Sequence, residues 1–245
     1  MNPLQQLVFL DTETTGLGRE DRLCQCAYIF DNDEYDELFL PEVPISVEAQ
    51  SVSHITPKHV EGKPSFGGSN MQAHLNELLD QGVVLVAHNA PYDIEMLKRD
   101  GVEWEHYIDT QKVAKALDPE AEIPRYNMQF LRYFFELEVD DAIAHNALGD
   151  VRVLKALFEH LLHLAQESGR SEEEALAWMM EVSTEPQLVT RFTFGKHRGK
   201  KVQEVLMEDK GYLEWLWKQK QQQLSSGEIT EQDEWVFTLR KLLGV

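Results

Sequence analysis

The amino-acid sequence predicts a mixed α/β fold with a sheet of about five strands flanked by helices. Three observations support this prediction. Short apolar runs of strand length recur along the first 110 residues, and segments with helical spacing alternate with the later runs. The second and third strand candidates are joined by a short turn, as in a hairpin. A hairpin followed by alternating strands and helices is typical of a mixed sheet.

The strand candidates are apolar or alternating segments that end at a turn or at a polar residue. They are residues 7–10, 23–30, 35–40, 83–87 and 107–109. The turn between the second and third contains Asp31 and Asp33, which have the spacing of a calcium loop. Asp36 stands where such a loop needs glycine, so we interpret the segment as a solvated hairpin turn.

The helix candidates have apolar residues at helical spacing or a recognisable start. They are residues 71–79, 92–99, 110–117, 127–138 and 147–165, and a further helix after Ser171. Ser171 and Glu174 have the spacing of a capping box at the start of that last helix. Residues 41–68 contain four prolines and a glycine pair, so we expect a loop there.

Charge is unevenly distributed along the chain. The 245 residues carry a net charge of −20, whereas residues 191–245 hold ten basic and eight acidic residues and are net positive. Such asymmetry suggests a second module with a different task. We therefore expect a main domain at 1–168, a linking helix and connection at 169–190, and a small C-terminal module of unassigned role at 191–245.

Composition excludes several classes of protein. A net charge of −20 argues against a protein that holds nucleic acid by bulk positive charge. It does not argue against an enzyme that holds phosphates through metal ions, since such sites are acidic. No apolar run approaches the roughly 20 residues of a membrane helix, and the N-terminus lacks a leader pattern. Cys24 and Cys26 are too close for an ordinary disulfide and lack partners for zinc. We therefore expect a cytoplasmic protein with no membrane association.

Four acidic residues lie at the ends of predicted elements. Asp11 and Glu13 follow the first strand at positions i and i+2, so their side chains point the same way. Asp93 lies in the first turn of the helix after residues 83–87, and Asp150 in the first turns of the long helix. If the sheet brings these ends together, four acids meet in one pocket.

Four adjacent carboxylates cannot all ionise easily without cations, because like charges raise one another's pKa. Two divalent cations would balance the four negative charges and bind a phosphodiester, in the manner of two-metal phosphoryl-transfer sites. Oxygen ligands without a thiolate favour Mg²⁺ or Mn²⁺ over zinc. An attacking water needs a general base that accepts its proton near neutral pH. His145, five residues before Asp150, is suited to this role.

Three motifs together resemble the DEDDh family of 3′–5′ exonucleases, which includes polymerase proofreading subunits. They are residues 11–16 (DTETTG), residues 88–93 (HNAPYD) and His145 followed by Asp150. They occur in the family's order and with its internal spacing, and together they cover roughly residues 5–168. Histidine rather than tyrosine before the last aspartate places the chain in the histidine branch.

The resemblance implies a ribonuclease-H-like sheet and the release of 5′-mononucleotides from a 3′-hydroxyl end. It also implies that Asp11, Glu13, Asp93 and Asp150 are metal ligands and that His145 is the general base. Thr14 would lie beside the terminal nucleotide. His54 is in the loop segment that approaches the last base in relatives, and we leave it open between substrate contact and ordinary loop residue.

The C-terminal part resembles the bacterial exodeoxyribonuclease X subfamily. The matching segments are residues 192–200 (FTFGKHRGK) and 211–216 (GYLEWL), together with residues 45–56 in the long loop. This resemblance favours DNA as the substrate. The chain differs from the subfamily mainly around residues 221–234, where it is longer.

Some residues admit other interpretations. His88 ends an apolar strand and is interpreted as a structural, hydrogen-bonded histidine. Asp109 lacks the sequence context of Asp93 and is interpreted as a helix cap. Cys24 and Cys26 share a strand face and are expected to be core thiols.

The glycine-rich segment at 195–200 does not match a phosphate-binding loop, because its glycines are too close together and Lys201 stands where serine or threonine is required. We interpret it as a hairpin turn. Its basic residues either bind the nucleic-acid backbone or solubilise the turn; they are Lys196, Arg198, Lys200 and Lys201. The aromatic residues that follow are expected to form the core of the module; they are Tyr212, Trp215 and Trp217, with Leu216.

These features predict a metal-dependent 3′–5′ exonuclease that acts on DNA 3′ ends in repair or proofreading. A ribonuclease that trims RNA ends remains an alternative, since nothing readable in the sequence checks for a 2′-hydroxyl. An alternative of another class is a non-catalytic subunit that docks a polymerase or repair complex. A complete set of catalytic residue types argues against that alternative.

Overall fold

The computed structural model describes residues 7–139 and 147–245. Within these residues the strands are β1 (Leu7–Thr14), β2 (Leu23–Phe30), β3 (Asp33–Leu38), β4 (Val84–Ala87) and β5 (Tyr107–Asp109). The helices in the first 140 residues are α1 (Val47–Ser53), α2 (Pro57–Val60), α3 (Asn70–Asp80), α4 (Ala90–Arg99), α5 (Thr110–Leu117) and α6 (Met128–Phe134). The later helices are α7 (Ala147–Glu167), α8 (Glu172–Thr184), α9 (Val202–Glu208), α10 (Lys210–Ser226) and α11 (Glu234–Leu243).

The strands form one mixed five-stranded sheet in the order β3-β2-β1-β4-β5. Strand β1 is antiparallel to β2 and parallel to β4, which is parallel to β5. The predicted fold class, a five-stranded mixed sheet flanked by helices, is confirmed. Because β1, β4 and β5 run the same way, their carboxyl ends lie at one edge of the sheet. The residues that follow these three strands are therefore placed near one another.

Strand β1 continues four residues beyond the predicted apolar run. Asp11 pairs with Ala27 and Glu13 with Gln25, so the two acids lie within the strand rather than after it. The apolar pattern ends at Leu10 because the side chains beyond it face the site, although the backbone stays paired with β2. Strand β3 begins at Asp33, since Asp31 and Asn32 both have positive φ and make a two-residue hairpin turn.

The segment at 41–68 was predicted as a loop, and that prediction was wrong in part because it holds α1 and α2. Ser46 accepts a hydrogen bond from the backbone of Ala49 and caps α1. Pro57 occupies the first turn of α2, where its missing N–H costs nothing. Helix α6 is shorter than predicted and ends at Phe134, after which Glu136 takes a positive φ.

The hydrophobic core lies between the sheet and the helices α3 and α7, which pack against it. Helix α7 packs across β1 and β2, where Phe158 contacts Phe9 edge to face with ring centroids 5.2 Å apart. Cys24 and Cys26 are fully buried free thiols, as expected. This packing fixes the first turn of α7, which carries Asp150, relative to β1.

The chain divides into two compact units. One comprises residues 1–117 and 125–183 and contains the sheet, and the other comprises residues 118–124 and 184–245. The second unit has its own apolar core, which consists of Phe192, Val202, Val205, Leu213, Leu216 and Leu239. Segment 118–124 is attached to this unit by a hydrogen bond from Arg191 Nη2 to the carbonyl oxygen of Ala121, at 2.8 Å.

The turn at 195–200 lies in the second unit. Arg191 and Lys201 form a single antiparallel bridge across it, so it is a hairpin-like loop without extended strands. Tyr212 and Trp217 pack against the core as predicted. The prediction for Trp215 was wrong, since that side chain is 50% exposed. In the described residues no helix is long and apolar enough to cross a membrane.

Candidate active site

Three carboxylates meet at the carboxyl edge of the central strands. Asp11 and Glu13 project from β1 on the same side, since they are two residues apart on a strand. Asp150 reaches them from the first turn of α7. One carboxylate oxygen from each lies within 4.8 Å of those of the other two, a spacing that could hold a metal ion.

Asp93 lies beside this group, in the first turn of α4, but is not one of its members among the described residues. Its Oδ1 accepts hydrogen bonds from Thr12 twice, from the backbone N–H at 3.0 Å and from Oγ1 at 2.7 Å. Thr12 stands between the two β1 acids, so it fastens the start of α4 to the strand that carries them. The pocket that was predicted to hold four acids therefore has three grouped carboxylates, and the fourth carboxylate, that of Asp93, is hydrogen-bonded to Thr12 beside them.

Burial and mutual repulsion make these acids hard to ionise. Burial, and then the charges of Asp93, Glu13 and Asp150, raise the pKa of Asp11 well above its ordinary value. Burial, with the charges of Asp150 and Asp93, raises the pKa of Glu13 to about 7. Burial also raises the pKa of Asp93 to about 7, although its hydrogen bonds from Thr12 oppose the shift.

Such a cluster fits a divalent cation. The donor set is entirely carboxylate oxygen, the set that Mg²⁺ and Mn²⁺ prefer. A cation bound there would remove the electrostatic cost of ionising the acids.

Asp150 is held by a neighbour that the sequence did not indicate. Gln129, on α6, donates a hydrogen bond from Nε2 to Asp150 Oδ1 at 2.6 Å. A lone glutamine on an amphipathic helix has no pattern that points to this contact. Thr12 could have been noticed, because it is the residue between the paired acids.

His145 was predicted as the general base, and it lies outside the described residues. The structure therefore places Asp150, five positions later, without placing the histidine itself.

A cleft of about 590 Å³ opens directly beside Glu13. Thr14 lines it, and the Thr14 Oγ1 lies 2.5 Å from the hydroxyl of Tyr92, which also donates to the carbonyl oxygen of Gly16 at 3.0 Å. Leu17 lines the same cleft with its side chain 88% exposed. The cleft therefore combines apolar walls with polar groups near the acids, as ligand sites commonly do.

His54 is placed differently from Thr14. It is an exposed residue with a φ of 59° that ends α1, where its backbone N–H bonds to the carbonyl oxygen of Gln50. It is not among the residues that line the cleft, whereas Val52 of the same helix is.

His88 and Asp109 have the structural roles that the sequence suggested. His88 Nδ1 lies 2.9 Å from Thr110 Oγ1, and Nε2 lies 2.8 Å from the carbonyl oxygen of Tyr126. Burial lowers the pKa of His88 to about 4. Asp109 Oδ1 accepts from the backbone N–H of Gln111 at 2.9 Å and so caps α5.

The basic residues of the turn at 195–200 are mostly engaged within their own unit. Lys196 pairs with Asp209 at 2.7 Å and Lys200 with Glu208 at 2.6 Å, while Lys201 donates to the carbonyl oxygen of Glu120. Arg198 is exposed, and no ion pair involves it in the part of the chain that the structure describes.

Two family models match separate parts of the chain. The family model described as "Exonuclease" matches residues 8–158, and the model described as "Exodeoxyribonuclease X-like C-terminal" matches residues 192–221. The first match covers the sheet and the acidic residues of the site, and the second covers the basic turn and the start of α10.

Individual relatives cover most of the chain. Exodeoxyribonuclease 10 of Escherichia coli K12 is 32% identical over 216 residues, which are 86% of this chain and 90% of that protein. The DNA polymerase III subunit epsilon of Treponema pallidum is 32% identical over 67% of this chain and 80% of its own length. A solved structure of exonuclease X in complex with 5′ overhanging duplex DNA shares the fold, with a TM-score of 0.53 and 24% identity over 72% of this chain and 99% of that one. The resemblance predicted from the sequence motifs is confirmed, and the chain belongs to the exonuclease family that includes exodeoxyribonuclease 10.

Proposed function

We propose that the protein is a metal-dependent 3′–5′ exodeoxyribonuclease that releases 5′-mononucleotides from DNA 3′ ends. The observation that supports this most strongly is the grouping of Asp11, Glu13 and Asp150, within 4.8 Å of one another, in a chain of the exonuclease family. The similarity to exodeoxyribonuclease 10 supports DNA rather than RNA as the polymer. The similarity to a polymerase III epsilon subunit supports a role in repair or proofreading, with a polymerase or repair complex as a partner.

The acids would hold two divalent cations, Mg²⁺ or Mn²⁺. The grouped ligands would be Asp11, Glu13 and Asp150. Asp93, which is hydrogen-bonded to Thr12, would supply the fourth carboxylate. When bound, such ions polarise the phosphodiester and stabilise the charge that develops as the phosphorus is attacked. The raised pKa values of Glu13 and Asp93 support this assignment, since an added cation relieves the repulsion that raises them.

The chain itself would move the proton. The imidazole of His145 would accept a proton from the attacking water, whose oxygen forms a bond to phosphorus. The bond from phosphorus to the 3′ oxygen of the preceding nucleotide then breaks, and that oxygen takes up a proton. The products are a 5′-mononucleotide and a strand with a new 3′-hydroxyl end. This role rests on the sequence position of His145 before Asp150.

The terminal nucleotide would lie in the cleft beside Glu13. Thr14 and the hydroxyl of Tyr92 offer polar groups there, and Leu17 and Val52 offer apolar contacts to the sugar and base. His54 would contact the substrate only from the rim, because it does not line the cleft.

Catalysis is assigned to residues 1–168, with residues 169–190 as a connection and 191–245 as a module outside the hydrolytic site. We also propose a cytoplasmic location, which the two free buried thiols support.

A direct test follows the degradation of single-stranded DNA labelled at its 5′ end, beside an RNA of the same sequence, in Mg²⁺ and in Mn²⁺. A ladder that shortens from the 3′ end and disappears with Asp150→Ala is expected for DNA. Faster degradation of the RNA would make the protein an exoribonuclease. No degradation of either polymer would favour the docking subunit.

A further inference from the structure

A large aromatic side chain on α6 is mostly exposed to solvent. Tyr133 is 73% exposed, and the guanidinium carbon of Arg132 lies 5.5 Å from the centre of its ring. A large aromatic side chain left in solvent on a short helix forgoes the burial that stabilises most such residues. Single exposed apolar side chains are common on protein surfaces, so a ligand contact is inferred from where Tyr133 lies as well as from its exposure.

The position of Tyr133 relative to the acids follows from helix geometry. Tyr133 is four residues after Gln129 on the same helix, so the two side chains lie on one face, about 6 Å apart along the axis. Gln129 Nε2 is hydrogen-bonded to Asp150 Oδ1 at 2.6 Å. The exposed ring is thus one helical turn beyond the residue that holds a carboxylate of the site.

The charge of the chain indicates what such a ring would bind. With a net charge of −20, the protein cannot hold a polyanion by its overall field. Stacking of bases on aromatic side chains needs no net positive charge and tolerates any base sequence. The nearby guanidinium of Arg132 adds a cation beside the ring.

We propose that Tyr133 stacks on a base of the substrate strand, a few nucleotides before the scissile phosphodiester, and so holds the polymer whose 3′ end is at the acids. This rests on the proposed function. A nucleic-acid strand is favoured over a protein partner because Tyr133 lies close to the hydrolytic site. It is one helical turn from Gln129, which is hydrogen-bonded to Asp150. A strand that reaches the carboxylates must leave the site along its surroundings, whereas a protein partner has no such requirement.

The test compares Tyr133→Ala and Tyr133→Phe on two substrates. One is single-stranded DNA, and the other is thymidine 5′-p-nitrophenyl phosphate, which has no preceding base. Tyr133→Ala is expected to raise KM for the DNA roughly 5- to 150-fold, the effect of losing one stacked base. Its kcat on DNA and its hydrolysis of the small substrate should stay within about twofold of the wild type, and Tyr133→Phe should behave as the wild type, since stacking needs only the ring.

Abasic substitution identifies the contact. A DNA with one abasic nucleotide at the stacking position should raise KM for the wild type and leave Tyr133→Ala unaffected. If Tyr133→Ala and an abasic nucleotide raise KM independently, wherever the abasic nucleotide is placed, the proposal is overturned. It is also overturned by an unchanged KM for DNA, or by an equal loss on the small substrate, which would show that the substitution disturbed Asp150 instead.

An equilibrium measurement keeps this test separate from the test of hydrolysis. Binding of a fluorescent single-stranded DNA is measured in EDTA for the wild type and Tyr133→Ala. The same 5- to 150-fold difference is expected in Kd, with little dependence on salt because stacking releases no counterions. If the wild type hydrolyses nothing, the proposed function fails, and this difference in Kd still decides whether Tyr133 stacks. An equal Kd for the two proteins overturns the stacking contact.

Discussion

At the scale of single residues, burial shifts acids and histidine in opposite directions because in each it penalises the charged form. It raises the pKa of Glu13 to about 7 and lowers the pKa of His88 to about 4. A bound cation would favour the ionised form of the acids at neutral pH, whereas burial holds His88 neutral although its hydrogen bond to the carbonyl oxygen of Tyr126 opposes the shift. This difference separates a candidate ligand from a structural residue.

His88 predicts a pH dependence of stability. Its folded pKa of about 4 lies below the unfolded value of about 6.5, so the unfolded chain binds more protons between these pH values. The contribution of His88 is fully present above pH 6.5 and is lost as the pH falls toward 4, by on the order of 3 kcal/mol. Urea unfolding in EDTA at several pH values should show a shallower acid dependence for His88→Gln than for the wild type. Parallel curves would contradict this.

At the scale of elements, the contact between β1 and the start of α4 positions the fourth acid. Thr12→Val removes the 2.7 Å bond from Oγ1 to Asp93 and leaves the bond from the backbone N–H. Because residues that orient a metal ligand typically matter by 10- to 100-fold, we expect a loss of about tenfold in kcat and in Mn²⁺ affinity. Thr12→Ser, which keeps the hydroxyl, should restore both. A Thr12→Val protein with wild-type Mn²⁺ affinity would show that Asp93 is positioned by other contacts.

The sequence predicted most elements because their patterns are local. The mostly apolar run of 23–30 and the helical period of 147–165 depend only on which side chains are buried, and β2 and the start of α7 lie where predicted. The extension of β1 to Thr14 could not be predicted from apolar pattern, because its pairing with β2 is a long-range contact. Helices α1 and α2 were missed because the prolines around them obscure short helices that begin at Ser46 and Thr56 caps.

The site was predictable in its residue types and less so in its arrangement. Asp11, Glu13 and Asp150 were expected together and are together, because strand alternation and the start of α7 fix them. The bonds from Thr12 to Asp93 and from Gln129 to Asp150 join distant segments. The place of Thr12 between Asp11 and Glu13 could have been noticed, whereas no local pattern marks Gln129. The prediction of a 3′–5′ exonuclease is confirmed by the family to which the chain belongs.

At the scale of the whole molecule, the excess negative charge lies in the first 190 residues, and the basic turn lies in the second unit. Lys200 is paired with Glu208, whereas Arg198 is exposed and has no ion pair among the described residues. If the turn binds the nucleic-acid backbone, the unpaired cation should contribute more than the paired one.

We therefore expect Arg198→Ala to weaken binding of single-stranded DNA and to reduce the salt slope of log K by about 0.7, the value for one phosphate contact. Lys200→Ala, its matched control, should change both less, since Glu208 already compensates that charge. Kd is measured by fluorescence anisotropy between 50 and 200 mM salt. Identical slopes for the wild type and both variants would indicate that the turn solubilises the protein and does not bind DNA.

The central claim is that four carboxylates on β1, α4 and α7 form one hydrolytic centre. The most direct measurement is the rate of 3′-end hydrolysis of one DNA by Asp11→Asn, Glu13→Gln, Asp93→Asn and Asp150→Asn. The matched control is Glu34→Gln on β3, an acid that pairs with Arg152 at 2.6 Å and is not one of the grouped carboxylates among the described residues. Each of the four should lose at least about 100-fold in rate while remaining folded, and the control should keep its rate. A folded variant at any of the four positions with a rate within about tenfold of the wild type would contradict the claim.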